Sequence, residues 1–531
     1  MIVSRIAKLF LAFTSLYFTA GSPLRPRATC TKTQVAVLGA GVAGIAAAEA
    51  LHNASISDFI VIDVNDYIGG RLHHTTFGKN PATGQPYTIE FGANWVQGLG
   101  KPGGPQNPIW TLANKWGLNT TYSNYSAIQT YDQTGPVDYV GLLDEYETAY
   151  GSVEKDAGQI LTQNLQDRTM RAGLSFADWK TKDNMHKQAA EWWEFDWEYA
   201  WPPEQSSETF TVINFNDSFY QFSEDNNLCT DPRGFNYWLK QEASTFLTHN
   251  DPRLLLSTNV TSIDYSAKDT VTINTSSGTC IEASYAIVTF SLGVLQNDVV
   301  SFNPPLPAWK QSGIDGMQMG TYTKIFFQFP PDSDGKFFWE KGANPDTQFF
   351  LYADHYERGY YPVWQSLSAP GFYPGSGIIF VTVTAAQAYR AENQDDTTVK
   401  NEALDVLRSM FGKDNVPGPI DFVYPRWTKT PWSYGSYSNW PPGYSLEMHQ
   451  NLRANLGRMW FAGEATSVSY FGFLQGAYNE GQYVGEQVTQ CVDKKLFSCD
   501  DEPHYENLKG DTTSKRVLQE KNGWLVDSTQ V

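Results

Sequence analysis

A glycine-rich turn near the N-terminus has the spacing of a dinucleotide-binding site. Residues 39–44 read GAGVAG and stand between the β-rich run QVAVL and an alanine-rich stretch of helical character. Gly39 permits a tight turn, Gly41 lets the backbone approach a pyrophosphate, and Gly44 allows close packing of the helix on the sheet. A second strand, FIVID, ends at Asp63, whose carboxylate can accept hydrogen bonds from ribose hydroxyls. This order of strand, helix, strand and acid predicts dinucleotide binding.

A lysine lies inside an otherwise apolar run at residues 322–329, YTKIFFQF. Strand alternation would put Tyr322, Lys324 and Phe326 on one face. Burying an unpaired ammonium group is costly, so a buried lysine here would have to serve a functional site. The alternative is a lysine at the edge of a sheet with its ammonium group in solvent.

Acidic and tryptophan side chains are concentrated at residues 191–204, EWWEFDWEYAWPPE. Such a segment fits the lining of a cation site, because carboxylates and aromatic ring faces both attract positive charge. An amphipathic packing segment is the alternative. The whole chain has 57 Asp and Glu against 38 Lys and Arg, a net charge of −19. This balance argues against general binding of nucleic acid or anionic membranes, and it agrees with a cationic partner or with solubility alone.

The length and composition indicate a large folded protein. The 531 residues suffice for three or four compact units, or for two large interleaved ones. A hydrophobic content of 41% and an aromatic content of 15% exclude general disorder. Residues 255–290 alternate apolar and polar side chains and predict strands, whereas residues 398–411 have the periodicity of a helix. Residues 500–531 are polar and poor in aromatic side chains, so we expect a flexible tail.

The first twenty residues have the pattern of a secretory signal peptide. Arg5 and Lys8 supply a positive start, the run from Leu9 to Ala20 is uncharged and mostly apolar, and small residues follow at the end of the run. The alternative is an N-terminal membrane anchor. No later stretch approaches the length of about 20 apolar residues that a membrane span needs.

Glycosylation patterns and cysteines also bear on the compartment in which the protein resides. Six Asn-x-Ser/Thr patterns favour a secretory route when they are taken together with the leader. They are Asn53, Asn119, Asn124, Asn216, Asn259 and Asn274. Five cysteines are too few for a disulfide scaffold, and none has the spacing of a metal site, so we expect no metal. Cys491 and Cys499 are close enough in sequence to pair, but their pairing stays open.

Further motifs connect the glycine-rich turn to a known family. Gly69-Gly70-Arg71 follows the second strand and resembles the flavin-binding signature of the amine oxidase superfamily, where the arginine meets the FAD pyrophosphate. Other motifs follow in order. They are EFGANWVQG at 90–98, DPRGFNYW at 231–238, FSLGVLQ at 290–296, YTKIFFQF at 322–329, SYSNWPPG at 436–443 and GRMWFAGEATSVSYFGFLQGAYNEG at 457–481. This ordered set resembles the FAD-dependent polyamine oxidases, particularly their secreted plant-type branch, over about residues 33–495.

The resemblance implies an α/β protein with the two-domain fold of amine oxidases. An interrupted, Rossmann-like FAD-binding domain would consist of residues 33–110, 230–300 and 410–495. A substrate-binding domain with a mixed sheet and helices would consist of residues 111–229 and 301–409.

The resemblance also implies noncovalent FAD and a set of residues that bind it. Covalent attachment in related monoamine oxidases needs a cysteine shortly before the aromatic Pro-Pro-Gly stretch, and residues 432–443 contain none. The implied FAD-binding residues are Gly39, Gly41, Gly44, Asp63, Arg71, Ala93, Asn94, Val260, Trp440, Glu464, Gly472 and Phe473. Among them Glu464 would bond the ribityl or diphosphate region, and Val260 would meet the adenine end through its backbone.

The family's catalytic residues carry over onto matching positions. Lys324 would hold a water against flavin N5 and assist flavin oxidation. Tyr437 and Phe473 would form two aromatic walls around the amine, although the family usually has tyrosine where this chain has Phe473. The implied substrate-binding residues are Gln97, Glu198, Tyr199, Tyr322, Tyr437 and Phe473.

Gln97 departs from the family pattern. The plant-type motif NWVEG has a carboxylate at this position, facing the substrate amines, and an amide cannot neutralise an ammonium group. The departure leaves the flavin chemistry intact but bears on the choice of amine.

The resemblance therefore implies oxidation of a C–N bond in a polyamine-like secondary amine. Hydride would pass to the flavin, and O2 would be reduced to hydrogen peroxide. The alternative in the same chemistry is an oxidase for a specialised amine, such as an alkaloid or other secondary metabolite. A non-catalytic flavoprotein is disfavoured because Lys324 and the aromatic walls are present, and an L-amino-acid oxidase is disfavoured because Asn94, not an arginine, follows Gly92-Ala93. Histone demethylases share the GANW motif, but the secretory leader argues against a nuclear role. The expected partners are an amine and O2, with no nucleic acid and no membrane span after removal of the leader.

Overall fold

The computed structural model describes residues 30–163, 165–341, 346–493, 499 and 502–509. The predicted leader at residues 1–20 lies outside these residues, and so do residues 510–531 of the predicted tail. In the described part of the chain, no helix is long and apolar enough to cross a membrane.

The larger sheet contains the parallel strands that the glycine-rich turn requires. Its spatial order is Leu254–Leu255, Phe59–Ile62, Thr31–Leu38, Cys280–Val288, Val271–Thr275, Val260–Asp264 and Ser301–Asn303, and Met459–Phe461 also pairs with Cys280–Val288. Phe59–Ile62 is buried along its whole length, as expected for a strand covered on both faces. The strands predicted within residues 255–290 are confirmed.

Small residues bring two helices into close contact beside this sheet. Val42–Asn53 follows the glycine-rich turn, and Leu474–Val492 packs against it. A Cβ at Gly481 would lie 2.2 Å from the backbone oxygen of Ala43, and one at Gly485 would lie 2.7 Å from that of Ala47. Larger side chains would therefore push the two helices apart.

The second sheet positions the apolar lysine-containing strand. Its order is Asp421–Val423, Tyr322–Gln328, Ile378–Thr384, Val363–Ser366, Phe349–Ala353, Ile128–Asp132 and Gly135–Pro136. Most neighbours are antiparallel, but Phe349–Ala353 and Ile128–Asp132 run parallel. Together with the first sheet and the surrounding helices, this mixed sheet confirms the predicted two-domain α/β fold.

Helices and short strands complete the chain. The helices are Pro108–Lys115, Gly141–Gln163, Met170–Phe176, Met185–Glu191, Trp197–Tyr199, Glu208–Phe215, Tyr237–Ser244, Leu292–Leu295, Ala308–Gly316, Ala385–Asn393, Asp396–Phe411 and Leu446–Arg453. Two π-helical turns, Trp192–Asp196 and Asn216–Tyr220, extend helices near the site. The short strands are His74–Phe77, Tyr87–Glu90, Trp95–Gln97, Thr120–Tyr122, Asn226–Cys229, Gln318–Met319 and Ser438–Asn439. The helix predicted at 398–411 is confirmed within Asp396–Phe411.

Three details of the predicted organisation are corrected by pairing and packing. Ser301–Asn303 pairs with the first sheet, although residues 301–409 were expected in the substrate-binding domain. Asp421–Val423 pairs with the second sheet, although residues 410–495 were expected in the cofactor domain. Residues 502–509 of the predicted flexible tail lie against Leu446–Arg453, where the side chain of Asn451 exchanges two hydrogen bonds with the backbone of Tyr505.

A disulfide joins the starts of two neighbouring strands. Cys30 directly precedes Thr31–Leu38 and is bonded to Cys280, the first residue of the adjacent parallel strand. The two cysteines are 250 residues apart in sequence, so their spacing did not suggest the pair.

Candidate active site

A cavity of about 550 Å³ connects the glycine-rich turn with the lysine of the second sheet. Its volume lies in the usual range for a site that encloses a small molecule. The predicted site residues that line it are Gly39, Gly41, Asp63, Arg71, Ala93, Asn94, Gln97, Glu198, Tyr199, Val260, Tyr322, Lys324, Tyr437, Glu464, Gly472 and Phe473. The structure therefore brings together residues that stand more than 400 positions apart in the sequence.

Two predicted cofactor residues do not line this cavity. Gly44 is buried under the turn, where an added Cβ would lie 1.9 Å from the backbone oxygen of Gly39, so it serves the close packing of the helix. Trp440 is fully buried in a separate aromatic core, stacked on Phe210 at 3.9 Å between ring centroids and on His449 at 4.7 Å. The expectation that Trp440 binds the cofactor is corrected: its ring packs in the protein core.

The glycine-rich turn has the open backbone that a pyrophosphate needs. Gly39 has φ of +125°, and an added Cβ there would lie 2.3 Å from the hydroxyl of Thr289. The nearest atom to an added Cβ at Gly41 is 4.0 Å away, which leaves its backbone accessible. Asp63 accepts a hydrogen bond from the backbone N–H of Ala40 at 2.6 Å, and burial raises the pKa of its carboxyl group.

A partly buried ion pair joins the Gly69-Gly70-Arg71 motif to the C-terminal motifs. Arg71 donates to the carboxylate of Glu464 and to the backbone oxygen of Ser436, each at 2.8 Å. Glu464 also accepts from the backbone N–H of Gly472 at 2.8 Å and from Ser438. The carboxylate of Glu464 therefore holds Arg71 and two loops at the cavity wall.

Lys324 is buried, which excludes the alternative of a solvent-exposed lysine at a sheet edge. Its side chain is 1% exposed, and its Nζ donates to the backbone oxygen of Gly92 at 2.5 Å. Its Nζ also lies 5.9 Å from the centroid of the Trp95 ring. Burial lowers the pKa of Lys324 to about 7, while the nearby carboxylate of Glu90 acts in the opposite direction.

Glu90 is a buried group that the sequence reasoning missed. Its carboxylate accepts from the backbone N–H of Phe235 at 2.7 Å, and burial raises its pKa while Lys324 lowers it. Glu90 is the first residue of the motif EFGANWVQG, and that position was the available signal. Its carboxylate is the charge that raises the pKa of Lys324 and so partly opposes the effect of burial.

Aromatic side chains enclose the part of the cavity near Lys324. Tyr437 donates its hydroxyl to the backbone oxygen of Glu198 at 2.8 Å, and its ring lies 5.9 Å from that of Tyr322. Phe473 packs edge-on against Phe219 at 6.0 Å. Tyr199 lines the cavity but donates its hydroxyl to the backbone of Thr211, so its polar end is already bonded within the protein.

Gln97 and Glu198 form a pair across this aromatic region. The Nε2 of Gln97 lies 3.0 Å from each carboxylate oxygen of Glu198. Burial raises the pKa of Glu198 to about 8, and the hydrogen bond from Gln97 partly opposes this shift. No arginine or lysine within the described ranges forms an ion pair with Glu198.

The other acids of the 191–204 segment contradict the expectation of a cation-binding lining. Glu191 and Asp196 are buried and paired with Arg358, and Glu191 also pairs with Arg171. Glu204 pairs with Arg171 as well. Arginines neutralise these three charges, and burial raises the pKa of the remaining acid, Glu194, to about 8. Of the five acids, Glu198 is the one that lines the cavity.

Several lining residues were not predicted. Trp95 belongs to the GANW motif and Trp197 to the acidic segment, so both were adjacent to predicted residues. Asn214 and Gln475 also line the cavity. Asn214 donates to the backbone oxygens of Ser469 and Phe471 and thereby holds the loop that leads to Phe473.

Comparisons with known proteins agree with this geometry. The family model described as flavin containing amine oxidoreductase matches residues 42–489. The chain is 35% identical to polyamine oxidase 1 of Zea mays over 490 residues, covering 87% of this chain and 91% of that protein. It is 35% identical to polyamine oxidase 7 of Oryza sativa subsp. japonica, covering 85% and 94%. The structure of putrescine oxidase bound to putrescine has a TM-score of 0.66 at 17% identity, covering 87% of this chain and 99% of that one, which indicates a shared fold.

Proposed function

The chain belongs to the family of flavin-containing amine oxidoreductases, and we propose that within it the protein oxidises a polyamine-like secondary amine in the secretory pathway. It is an FAD-dependent amine oxidase. The observation that carries the choice of substrate is one cavity that combines Lys324, the aromatic side chains of Tyr437 and Phe473, and the unpaired carboxylate of Glu198.

The cavity fits FAD without a covalent bond. The accessible backbone at Gly41 and the Arg71 side chain would hold the pyrophosphate, and Asp63 would meet the ribose. Val260 and Asn259 line the same cavity and would meet the adenine end. No cysteine is among the described residues that line the cavity, in agreement with noncovalent binding.

Bound FAD would supply the redox chemistry, that is, the capacity to take up the hydride of an amine and to return it to O2 as hydrogen peroxide. The protein's own residues orient the amine and control its protonation. Tyr437 and Phe473 border the reacting region and exclude water from it. Lys324 has a lowered pKa, so its Nζ can exchange a proton near pH 7. Glu198 supplies a carboxylate for an ammonium group of the substrate.

The names of the two plant relatives support a polyamine as the substrate. A specialised amine, such as an alkaloid, is the second candidate. Gln97 favours it, because this position offers an amide where the plant-type motif has a carboxylate. Phe473 favours it also, because its ring lacks the hydroxyl that the family usually has at this wall.

Secretion and glycosylation are part of the proposal. The disulfide between Cys30 and Cys280 supports an oxidising compartment. Asn53 and Asn119 are exposed and accessible to glycosylation, whereas Asn216 is buried and unsuitable. Expression through a secretory host should yield protein in the medium that loses mass on treatment with an N-glycosidase. Retention of the protein in the cell, with no mass loss on N-glycosidase treatment, would contradict the proposed secretion and glycosylation.

An amine panel tests the enzymatic proposal. The FAD-loaded protein is incubated with polyamines, diamines, monoamines and alkaloid amines, and peroxide release is measured while products are identified by mass spectrometry. Peroxide from spermidine or spermine supports the polyamine assignment. Peroxide from alkaloid amines alone favours the second candidate, and no peroxide from any amine contradicts both.

A further inference from the structure

The carboxylates that line the cavity differ in how they are neutralised. Glu464 pairs with Arg71 at 2.8 Å. Asp63 accepts hydrogen bonds from the backbone N–H groups of Ala40 and Asn65, beside the glycine-rich turn. Glu198 has neither a cation nor a backbone donor in the described structure, and only the amide of Gln97 bonds its carboxylate. A buried carboxylate without a cation is costly, so its presence in the cavity indicates a site that a cation completes.

Gln97 is held so that its amide serves this carboxylate. Its backbone pairs with Asn226 in the short sheet, and its backbone oxygen accepts from the side chain of Asn107 at 2.8 Å. Its Nε2 reaches both oxygens of Glu198, so its Oε1 is directed away from the carboxylate. Oε1 accepts no hydrogen bond from any described residue, and Gln97 lines the same cavity. One carboxyl group, which an ammonium ligand can ionise, and one neutral carbonyl oxygen therefore stand side by side.

We propose that Gln97 and Glu198 form a single-charge subsite for one ammonium group, which makes N-substituted diamines with one uncharged arm the preferred substrates. The inference rests on the proposed oxidation of polyamine-like secondary amines and names the class within it. One ammonium group can donate to both the Glu198 carboxylate and Gln97 Oε1. The secondary nitrogen of the substrate is the reacting centre, and its second arm carries no charge.

The rest of the cavity argues against a second ammonium group. The basic side chains that line it are Arg71 and Lys324, which repel a cation when protonated. Trp95, Trp197 and Tyr322 supply aromatic surface that suits an alkyl or aryl arm. A second ammonium group would lose its hydration without gaining a carboxylate partner.

Matched probes test the preference for one charge. Spermidine is compared with two isosteres in which a methyl group replaces one or the other terminal ammonium group, so that shape is retained and one charge is lost. We expect kcat/KM for the better isostere to exceed that for spermidine by about tenfold, the effect of one poorly matched charged group. A preference for spermidine over both isosteres would overturn the proposal.

A variant pair tests the role of Gln97. Gln97→Glu adds a second carboxylate beside Glu198 and should shift the preference toward spermidine by about tenfold. Gln475→Glu is the matched control, because Gln475 also lines the cavity but bonds Ser218 and not Glu198. It should leave the ratio of the two substrates within about twofold. An equal shift in both variants would show that only the total charge of the cavity matters and would overturn the assignment to Gln97.

Binding without turnover separates this inference from the proposed function. Holoenzyme whose FAD has been reduced beforehand cannot oxidise an amine, so calorimetry of the better-binding isostere measures binding alone. Because burial raises the pKa of Glu198 to about 8, Glu198 is mostly protonated at pH 7, and an ammonium ligand should release a proton from it. The other titratable groups whose charge acts on or with Glu198 are neutral tyrosines with raised pKa values, Tyr125, Tyr199, Tyr322 and Tyr437.

Proton release is obtained from binding heats in buffers of different ionisation enthalpy. Glu198→Gln should reduce the release to the share that Lys324 and the reacting amine contribute, and it should weaken binding at least tenfold, whereas Gln475→Glu should retain the full release. Release that is as large in Glu198→Gln as in the wild type, or binding that is unchanged in it, would overturn the subsite even if every amine is oxidised. Normal release without oxidation of any amine would support the subsite and contradict the proposed function.

Discussion

Replacing Lys324 by methionine separates the two halves of the catalytic cycle. Methionine keeps much of the volume and removes the ammonium group, together with its hydrogen bond to Gly92 at 2.5 Å. The carbonyl of Gly92 then loses its donor, at a cost of about 1–3 kcal/mol, while relief of the buried ammonium group acts in the opposite direction. We therefore expect a small change in Tm.

The rates should change far more than the stability. A positioned acid or base contributes about 10²–10⁴ to a rate, so reoxidation of the reduced flavin by O2 should slow about a hundredfold or more in Lys324→Met. Reduction of the flavin by the amine should slow less. Because the pKa of Lys324 is about 7, the wild-type reoxidation rate should change with pH around neutrality, and the variant should lose this dependence.

Stopped-flow absorbance follows both steps, first with amine in the absence of O2 and then with O2 added to the reduced enzyme. Lys310→Met is the matched control, because Lys310 is equally buried but donates to the backbone oxygens of Leu452 and Ala454, outside the cavity. It should lower Tm without slowing either step. A reoxidation rate in Lys324→Met within about threefold of wild type, with its pH dependence intact, would refute the reasoning.

Three further substitutions test other parts of the site and fold. Arg71→Ala removes the ion pair to Glu464 and should raise the Kd for FAD at least tenfold in fluorescence titrations; unchanged affinity would contradict the cofactor assignment. Trp440→Ala should lower the free energy of unfolding by about 3–5 kcal/mol while the folded fraction binds FAD normally, and loss of FAD affinity alone would restore the cofactor role. Burial and Glu242 raise the pKa of Glu49 to about 7 from 4.5, so the charged form is disfavoured in the folded state and wild-type stability should fall as pH rises between these values. Glu49→Gln should flatten that part of the Tm profile, and identical profiles would refute the pKa shift.

Local motifs made the cofactor end of the site predictable. The roles of Gly39, Gly41 and Asp63 depend on a turn and two strands that are close in sequence, and the period-two pattern around Lys324 identified its strand. The resemblance to a family then supplied the distant residues Tyr437 and Phe473, which line the same cavity. The strands could be predicted because each rests on a short segment with its own constraints, and the cavity brings the named residues together, whereas their roles toward FAD and the amine stay predictions.

The remaining features depend on contacts between distant segments. Arg358 neutralises Asp196 across 162 positions, and the partner of Gln97 lies 101 positions away, so neither pairing is visible in a local pattern. The motif that contains Trp440 suggested a contact with the cofactor, but tertiary packing stacks its ring against Phe210. The edge strand Asp421–Val423 is too short for a sequence pattern to assign it to one sheet or the other.

The central claim is that one cavity combines FAD with an amine held by the carboxylate of Glu198. Anaerobic mixing of the FAD-loaded protein with spermidine and its two uncharged-arm isosteres tests it most directly, with the absorbance of oxidised flavin as the readout. We predict rapid loss of that absorbance with at least one of these amines. In Glu198→Gln the amine concentration for half-maximal rate should rise at least tenfold. Flavin that stays oxidised with every amine, or a Glu198→Gln variant that reacts as wild type does, would contradict the account.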